Sequence, residues 1–366
     1  MAGVLGITRV VENLHHNITR APGPLGTAER SPMRGVSGLV YRSIRGVTHL
    51  VGSGLDLALG QLARLLAEEP SSDRREAVLA ALNGVLGDHL AASGNPLAIS
   101  MLRRRDGVPV ELTRAELLEA IGQPAPRVVV MVHGLCRNDL QWRREGHDHG
   151  AALERSAVPT TVLYLSYNTG RPIIDNGREL TQVLEAMARA WPVPLEEIAF
   201  VAHSMGGLVV RSACAHAATE GHRWLRQLRS AVFLGTPHVG TPLERGGGWV
   251  DAVLDASPYT AAFAQLGRIR SAGITDLRHG LDSALPAGVA CHAIAGSLAR
   301  RAGGASERLV GDGLVPVASA LGLGAGPSGA DLFSAERRSI VYVTGHLALL
   351  SSKRVSRMIG DRLRSG

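Results

Sequence analysis

Ser204, Asp312 and His346 are the residues of this chain whose types and order could carry out a reaction. A serine hydroxyl is a weak nucleophile at neutral pH. It needs a base within reach, and the base needs an acid to orient it. Ser204 follows the apolar run Ile198-Ala199-Phe200-Val201-Ala202 and precedes Met205-Gly206-Gly207 and Leu208-Val209-Val210. This pattern reads as strand, abrupt turn and helix, with the serine at the apex and its hydroxyl over the end of a sheet. Strand and helix almost touch at such a turn, so its neighbours must be small. Gly206 and Gly207 meet that need on the helix side. Ala202 meets it on the strand side, where the usual G-x-S-x-G pattern has a glycine.

The partners of a serine on such a turn follow it in the order acid, then histidine. Asp312 lies in Gly311-Asp312-Gly313-Leu314-Val315-Pro316, after the apolar run Val289 to Ile294. His346 lies in Val343-Thr344-Gly345-His346-Leu347, after the run Ile340 to Val343. Taken singly, Asp312 fits a plain Asp-Gly turn as well as a site, and a lone histidine is ordinarily structural. Their order after Ser204, each at a strand end, favours the reactive reading. His346 would then take the Ser204 proton and return it to the leaving alcohol, while Asp312 fixes the imidazole tautomer. The developing oxyanion needs backbone donors. The expected pair is the N–H of Met205, the residue after the nucleophile, and the N–H of Leu135 in His133-Gly134-Leu135-Cys136. His133 and His203 are expected to orient these loops, and Cys136, with no evident activating partner, to be inert.

These residues need a sheet to hold them. Apolar runs suited to strands occur at Val128 to Val132, Thr161 to Leu165, Ile198 to Ala202, Ala231 to Leu234, Val289 to Ile294 and Ile340 to Val343. Helical patterns lie between several of them, as with Leu180, Val183, Leu184 and Met187. Strands alternating with helices predict an α/β fold with a mostly parallel sheet flanked by helices. Leu97 to Leu102 and Val108 to Leu112, around Asp106-Gly107, read as a short hairpin. Residues 1–95 read as a helical N-terminal extension and 96–366 as the catalytic domain. The extension holds Ile7, Val10, Val11 and Leu14, a long amphipathic stretch from about Val36 to Glu69, and a helix after Ser71-Ser72 bearing Val78, Leu79, Leu82, Val85 and Leu86. Amphipathic faces usually pack on a core. Docking on a membrane surface through apolar residues and arginines is the alternative for these helices.

Together, His133-Gly134-Leu135, Ala202-His203-Ser204-Met205-Gly206-Gly207, Gly235-Thr236-Pro237-His238-Val239-Gly240, Gly311-Asp312-Gly313 and Gly345-His346-Leu347 resemble an α/β-hydrolase. The set is similar to the lipase-like branch that contains bacterial triacylglycerol lipases and GPI inositol-deacylase-like serine esterases. Tyr167-Asn168-Thr169-Gly170 and Asn176-Gly177-Arg178-Glu179-Leu180 also look like that branch. The resemblance covers about residues 125 to 350. It implies hydrolysis of carboxylic esters, on acyl lipids or similar apolar esters, and a helical cap, here expected at 246–280 with Trp249, Val250, Val253, Leu254, Phe263, Leu266 and Ile269. No cofactor and no metal are expected. An acyltransferase using the same three residues is an alternative, since sequence does not report access of water to an acyl-enzyme. A silent hydrolase-fold protein that binds membrane or a partner through its N-terminal helices is another.

Composition narrows the classes. The 366 residues carry a net charge of +7, yet Lys353 is the only lysine, so the basicity is arginine. No block of five or six like charges occurs, and no aromatic–basic interleaving suggests stacked bases, so a nucleic-acid partner is not expected. Cys136, Cys214 and Cys291 are far apart, which fits a reducing compartment rather than a disulfide framework. Residues 1–20 lack the apolar core of a secretory signal, and no apolar run reaches the roughly 18 to 20 residues that span a bilayer. The expected location is cytoplasmic, with peripheral membrane contact as the variant. Oligomeric state is not legible.

Overall fold

A computed structural model describes residues 59–64, 72–105, 108–240, 271–302, 311–326 and 329–364. The first helix described in full, α1 (Asp73–Ala92), is capped by Ser72, whose Oγ accepts from Arg75 N–H at 3.3 Å. The strands are β1 (Leu102–Arg105), β2 (Val108–Pro109), β3 (Arg127–Val132), β4 (Thr161–Ser166), β5 (Glu197–His203), β6 (Leu228–Leu234), β7 (Ala290–Ser297) and β8 (Arg338–Tyr342). After β2 comes α2 (Arg114–Ile121), and α3 (His149–Glu154) lies between β3 and β4. Next are α4 (Ile173–Ala190), α5 (Met205–Glu220), the short α6 (Ala272–Asp276) and α7 (Val317–Ala320), and the C-terminal α8 (Lys353–Arg364).

The strands form one sheet in the order β2-β1-β4-β3-β5-β6-β7-β8. Every pair from β4 to β8 is parallel, and the β1–β2 hairpin adds an antiparallel edge. A parallel sheet must be covered on both faces because its crossover helices lie there. The sequence of β3, Arg-Val-Val-Val-Met-Val, is buried throughout for this reason. Its alternate residues serve different faces: Val128, Val130 and Val132 join the larger core, while Val129 and Met131 join the smaller one. The larger core is closed by α1, α4 and α5, and the smaller by Val355, Ile359 and Leu363 of α8. That spacing of four puts the three on one side of α8. Strand order reverses about β3, where β4 lies on one side and β5 on the other. Loops part at the carboxyl ends of strands at such a point, which leaves a crevice for ligands.

Two features differ from the sequence-based expectation. Residues 97–101 are not strand; the hairpin is shorter and lies at β1–β2. Asn83 of α1 accounts for this. Its amide donates to Leu97 O at 2.8 Å and accepts from Ile99 N–H at 2.9 Å, so the backbone there is committed to a helix side chain rather than a neighbouring strand. The last strand also stops at Tyr342 rather than Val343, because Val343 turns to φ 55°. This region is left-handed and strained for a β-branched residue.

Residues 73–92, assigned from sequence to the extension, share the core of the sheet. Val78, Leu82, Val85, Leu86 and Leu90 are at most 2% exposed. Residues 59–64 are helical as well, with Leu59 and Leu62 buried. The expectations for residues 1–58, and for the cap at 246–270, lie outside the described residues. Among the described residues no helix is long and apolar enough to cross a membrane.

Candidate active site

Ser204 connects β5 to α5 with φ 54° and ψ −127°. Such a backbone costs on the order of 1–3 kcal/mol and persists only where its surroundings impose it. Here Ser204 N–H donates to Leu234 O at 2.9 Å, and Ser204 O accepts from Gly207 N–H at 3.0 Å. A Cβ on Gly206 would lie 2.5 Å from His133 O and 2.6 Å from Val132 O, so only glycine fits that position. Ala202 is different. It is an ordinary residue of β5, in register with Val132 and Phe233, and its methyl group is part of the core. The alanine therefore adds no strain to the turn.

The loop after β3 lies against the serine. A Cβ on Gly134 would come within 2.9 Å of Ser204 Cβ. The next amide but one, Cys136 N–H, is taken by Thr169 Oγ1 at 3.1 Å. No hydrogen bond occupies the N–H of Leu135 or Met205 among the described residues. Tyr167 donates from its hydroxyl to His133 O at 2.8 Å, and the His133 ring stacks on Tyr167 at 4.4 Å. The Tyr-Asn-Thr-Gly stretch thus braces this loop from behind. So does α1: a Cβ on Gly84 would lie 2.2 Å from Cys136 Sγ, and one on Gly87 would lie 1.8 Å from Asn168 Oδ1.

Asp312 and His346 meet at the ends of β7 and β8. Asp312 Oδ2 is 2.7 Å from His346 Nδ1. Its other oxygen, Oδ1, accepts from Leu314 N–H at 3.0 Å and Val315 N–H at 2.7 Å. The flanking Gly311 and Gly313 take φ 56° and 95°, which lets the loop fold back on the carboxylate. His346 N–H donates to Asp312 O at 2.9 Å, so backbone and side chain hold the pair together. A carboxylate at Nδ1 fixes the proton on that nitrogen and leaves a lone pair on Nε2.

His203, next to Ser204, packs its ring 4.6 Å from the His346 ring and bonds His346 O through Nε2 at 3.1 Å. Burial, reinforced by the charge of His346, holds the pKa of His203 well below its ordinary range, so the ring is neutral at neutral pH. His133 Nδ1 lies 3.0 Å from Gly134 O, and burial lowers its pKa to about 4. Both rings thus meet backbone carbonyls of the loops around Ser204. Burial pushes the Cys136 thiol up to about 12, so it is not a thiolate at neutral pH. Among the described residues no cluster of three His, Cys, Asp or Glu could hold a metal ion.

The sequence reading missed Arg211, seven residues after the serine and fully buried. Its guanidinium donates to Leu281 O at 2.9 Å and to Ser283 O, and lies 3.3 Å from His238 Nδ1. It ties residues 281–283 to the helix behind Ser204. An arginine inside Leu208-Val209-Val210-Arg211-Ser212 was the available signal, since an apolar run seldom admits a charge without a partner.

Gly235, at φ 56°, faces the acid–base pair: a Cβ there would lie 3.1 Å from both Asp312 Oδ2 and His346 Nδ1. Gly235→Ala is expected to destabilise by about 1–3 kcal/mol through strain and crowding together. Gly288, at φ 75° with nothing within 4 Å of its would-be Cβ, isolates the strain. Urea unfolding should show Gly288→Ala as the milder of the two. Equal effects would mean that Gly235 does not press on the pair.

The chain thus has a mostly parallel sheet flanked by helices, with a serine at the turn between β5 and α5. Residues 123–280 match the family model described as "Putative serine esterase (DUF676)". No curated protein matches the sequence. Among solved structures, the chain is similar to the mature lipase BlEst2 of Bacillus licheniformis, with 18% identity, TM-score 0.43, and coverage of 72% of this chain and 97% of that one. A Listeria innocua protein is similar at 15% identity and TM-score 0.41, covering 65% and 94%. A thermophilic esterase of Thermogutta terrifontis is similar at 14% identity and TM-score 0.38, covering 66% and 90%.

Proposed function

We propose that the chain is a serine carboxylic-ester hydrolase that works through an acyl-enzyme on Ser204. The observation that carries this reading is the Asp312–His346 pair, 2.7 Å apart, beside a serine held at φ 54°. In the first half-reaction His346 Nε2 takes the Ser204 proton as Oγ attacks the ester carbonyl. The tetrahedral oxyanion is received by the N–H groups of Leu135 and Met205, and His346 then protonates the departing alcohol. In the second half-reaction water attacks the acyl group, loses its proton to His346, and Ser204 leaves with that proton. Asp312 keeps its charge throughout and stabilises the imidazolium.

Apolar esters, such as acyl lipids, are the proposed substrates. Leu298 and Val343, 50% and 72% exposed, follow β7 and β8 on the rim beside the acid and base. A Cβ on Gly345 would lie 3.6 Å from Leu298 Cδ2, which puts that side chain next to the histidine loop. Exposed apolar side chains at a reactive centre suit a substrate with an apolar tail.

A fluorophosphonate probe reacts with a serine that has a working base. It should label the wild-type protein and spare Ser204→Ala. A folded wild type that stays unlabelled would remove the hydrolase reading.

A further inference from the structure

A cavity of about 360 Å³ lies away from Ser204, on the side of the sheet that carries α8. Its floor is Val162 and Tyr164 of β4, its wall is α3, and its rim includes the turn Arg144–His147. Four guanidiniums line it, those of Arg105, Arg143, Arg144 and Arg155, against two carboxylates. Both carboxylates already have donors from the protein. Asp148 Oδ1 accepts from Gly150 N–H at 2.8 Å, Ala151 N–H at 3.1 Å and the Tyr164 hydroxyl at 2.7 Å. Glu154 Oε1 accepts from Val162 N–H at 3.1 Å and from Arg105 at 2.8 Å. Asp148 Oδ2 lies 3.9 Å from Arg143 Nε. Arg144 has only the exposed Glu145, at 3.5 Å, and Arg155 makes no ion pair among the described residues.

With Glu145 counted beside Arg144, four guanidiniums face three carboxylates, and Arg105, Arg143 and Arg144 each have one of these acids within 4 Å, so Arg155 is the positive charge in excess. Arginine offers paired N–H donors whose geometry matches a carboxylate or phosphate. The excess favours an anion, and the volume exceeds what a bare phosphate needs. The ring of Tyr164, Val162 and Ala151 leaves an apolar and aromatic side for an organic body. We propose that this cavity is a binding site for a phosphate monoester, separate from the ester-cleaving centre. The phosphate is held by Arg144 and Arg155, with Arg105 and Arg143 completing the field. The same group occurs on a small phosphorylated metabolite and on the headgroup of an anionic lipid.

Isothermal titration of the whole chain in phosphate-free buffer tests this. The probes are glycerol 3-phosphate, glycerol, inorganic phosphate, and phosphatidylcholine vesicles with and without phosphatidic acid. Glycerol 3-phosphate should bind and glycerol should not. In Arg144→Gln/Arg155→Gln the affinity should fall at least about tenfold, as expected for losing two charge-assisted contacts. Hydrolysis of a short-chain ester should be unchanged in that variant, since neither residue touches the serine site. Binding of the free monoester identifies a soluble ligand. Binding only to phosphatidic-acid vesicles, lost in the double variant, identifies the lipid headgroup. If neither probe binds, or the double variant binds as well as wild type, the proposal is overturned.

Discussion

Ser204→Ala and His346→Ala should each lower kcat for a short-chain chromogenic ester by about 10⁴ to 10⁶, with the fold intact. The two effects should not add, because nucleophile and base act as one unit, and the double variant should be no worse than either alone. Asp312→Asn should cost about 10⁴ by a separate route. The amide keeps an oxygen for the Leu314 and Val315 N–H groups that hold the loop. It can then turn an NH₂ group to His346 Nδ1, which forces the proton to Nε2, the nitrogen that must accept from Ser204. Circular dichroism and denaturant midpoints should stay close to wild type for Ser204→Ala, whose side chain makes no packing that alanine lacks beyond one hydroxyl. Comparable turnover in Ser204→Ala or His346→Ala would withdraw the assignment of both residues.

Acid should unfold this protein well before its carboxylates are exhausted. His133 and His149 are each lowered to about 4 by burial, and His203 and His238 are held well below the ordinary histidine range. The unfolded chain would protonate all four near 6.5. Below that pH the unfolded state therefore binds more protons than the folded one, and stability falls as pH falls. The contribution is complete above about 6.5 and is lost on the way down towards about 4. Each histidine adds a slope of about 1.4 kcal/mol per pH unit in that window. Four of them acting together would consume much of the roughly 5–15 kcal/mol that typically separates folded from unfolded chains. Asp139 and Glu197, raised by burial, act in the opposite sense from their ordinary carboxylate values upward, so they offset part of the loss at the acid end of that window. Urea unfolding at about pH 7, 6 and 5 should show a loss of several kcal/mol. A flat profile would mean that these imidazoles accept protons without unfolding.

The placement of the proposed reactive residues at strand ends was legible because it depends on order along the chain. Ser204, Asp312 and His346 sit at the ends of apolar runs, and the parallel sheet brings those ends to one edge. The approach of the loop after β3 to Ser204 was legible for the same reason, since Gly134 follows an apolar run. What escaped the sequence was held by single polar side chains. Asn83 diverts residues 97–101 from the sheet, and nothing in the spacing of Leu97 to Leu102 announces an amide fourteen residues upstream. Arg211 clasps the backbone at 281–283 across seventy residues, a contact with no local signature. Val343 was read as strand because it ends the apolar run from Ile340, and tertiary structure overrode that pattern. The role of α1 was hidden for another reason. Its apolar residues surround the helix instead of forming one stripe, because it is buried between the loops after β3 and β4.

That seat for α1 has a bearing on how the enzyme comes into being. Gly84 packs on Cys136 of the loop that lies against Ser204 and Gly87 on Asn168, while the proposed base arrives only with His346. The working parts therefore span more than 260 positions of the chain, from the brace to the base. Contacts of such separation form late, because the intervening segments must first be brought together. A nascent polypeptide leaving the ribosome would expose Ser204 long before it could cleave anything. On the proposed mechanism, competence would wait until His346, after β8, reaches Asp312. The excised stretch 123–280, which bears the family signature, would have neither brace nor base.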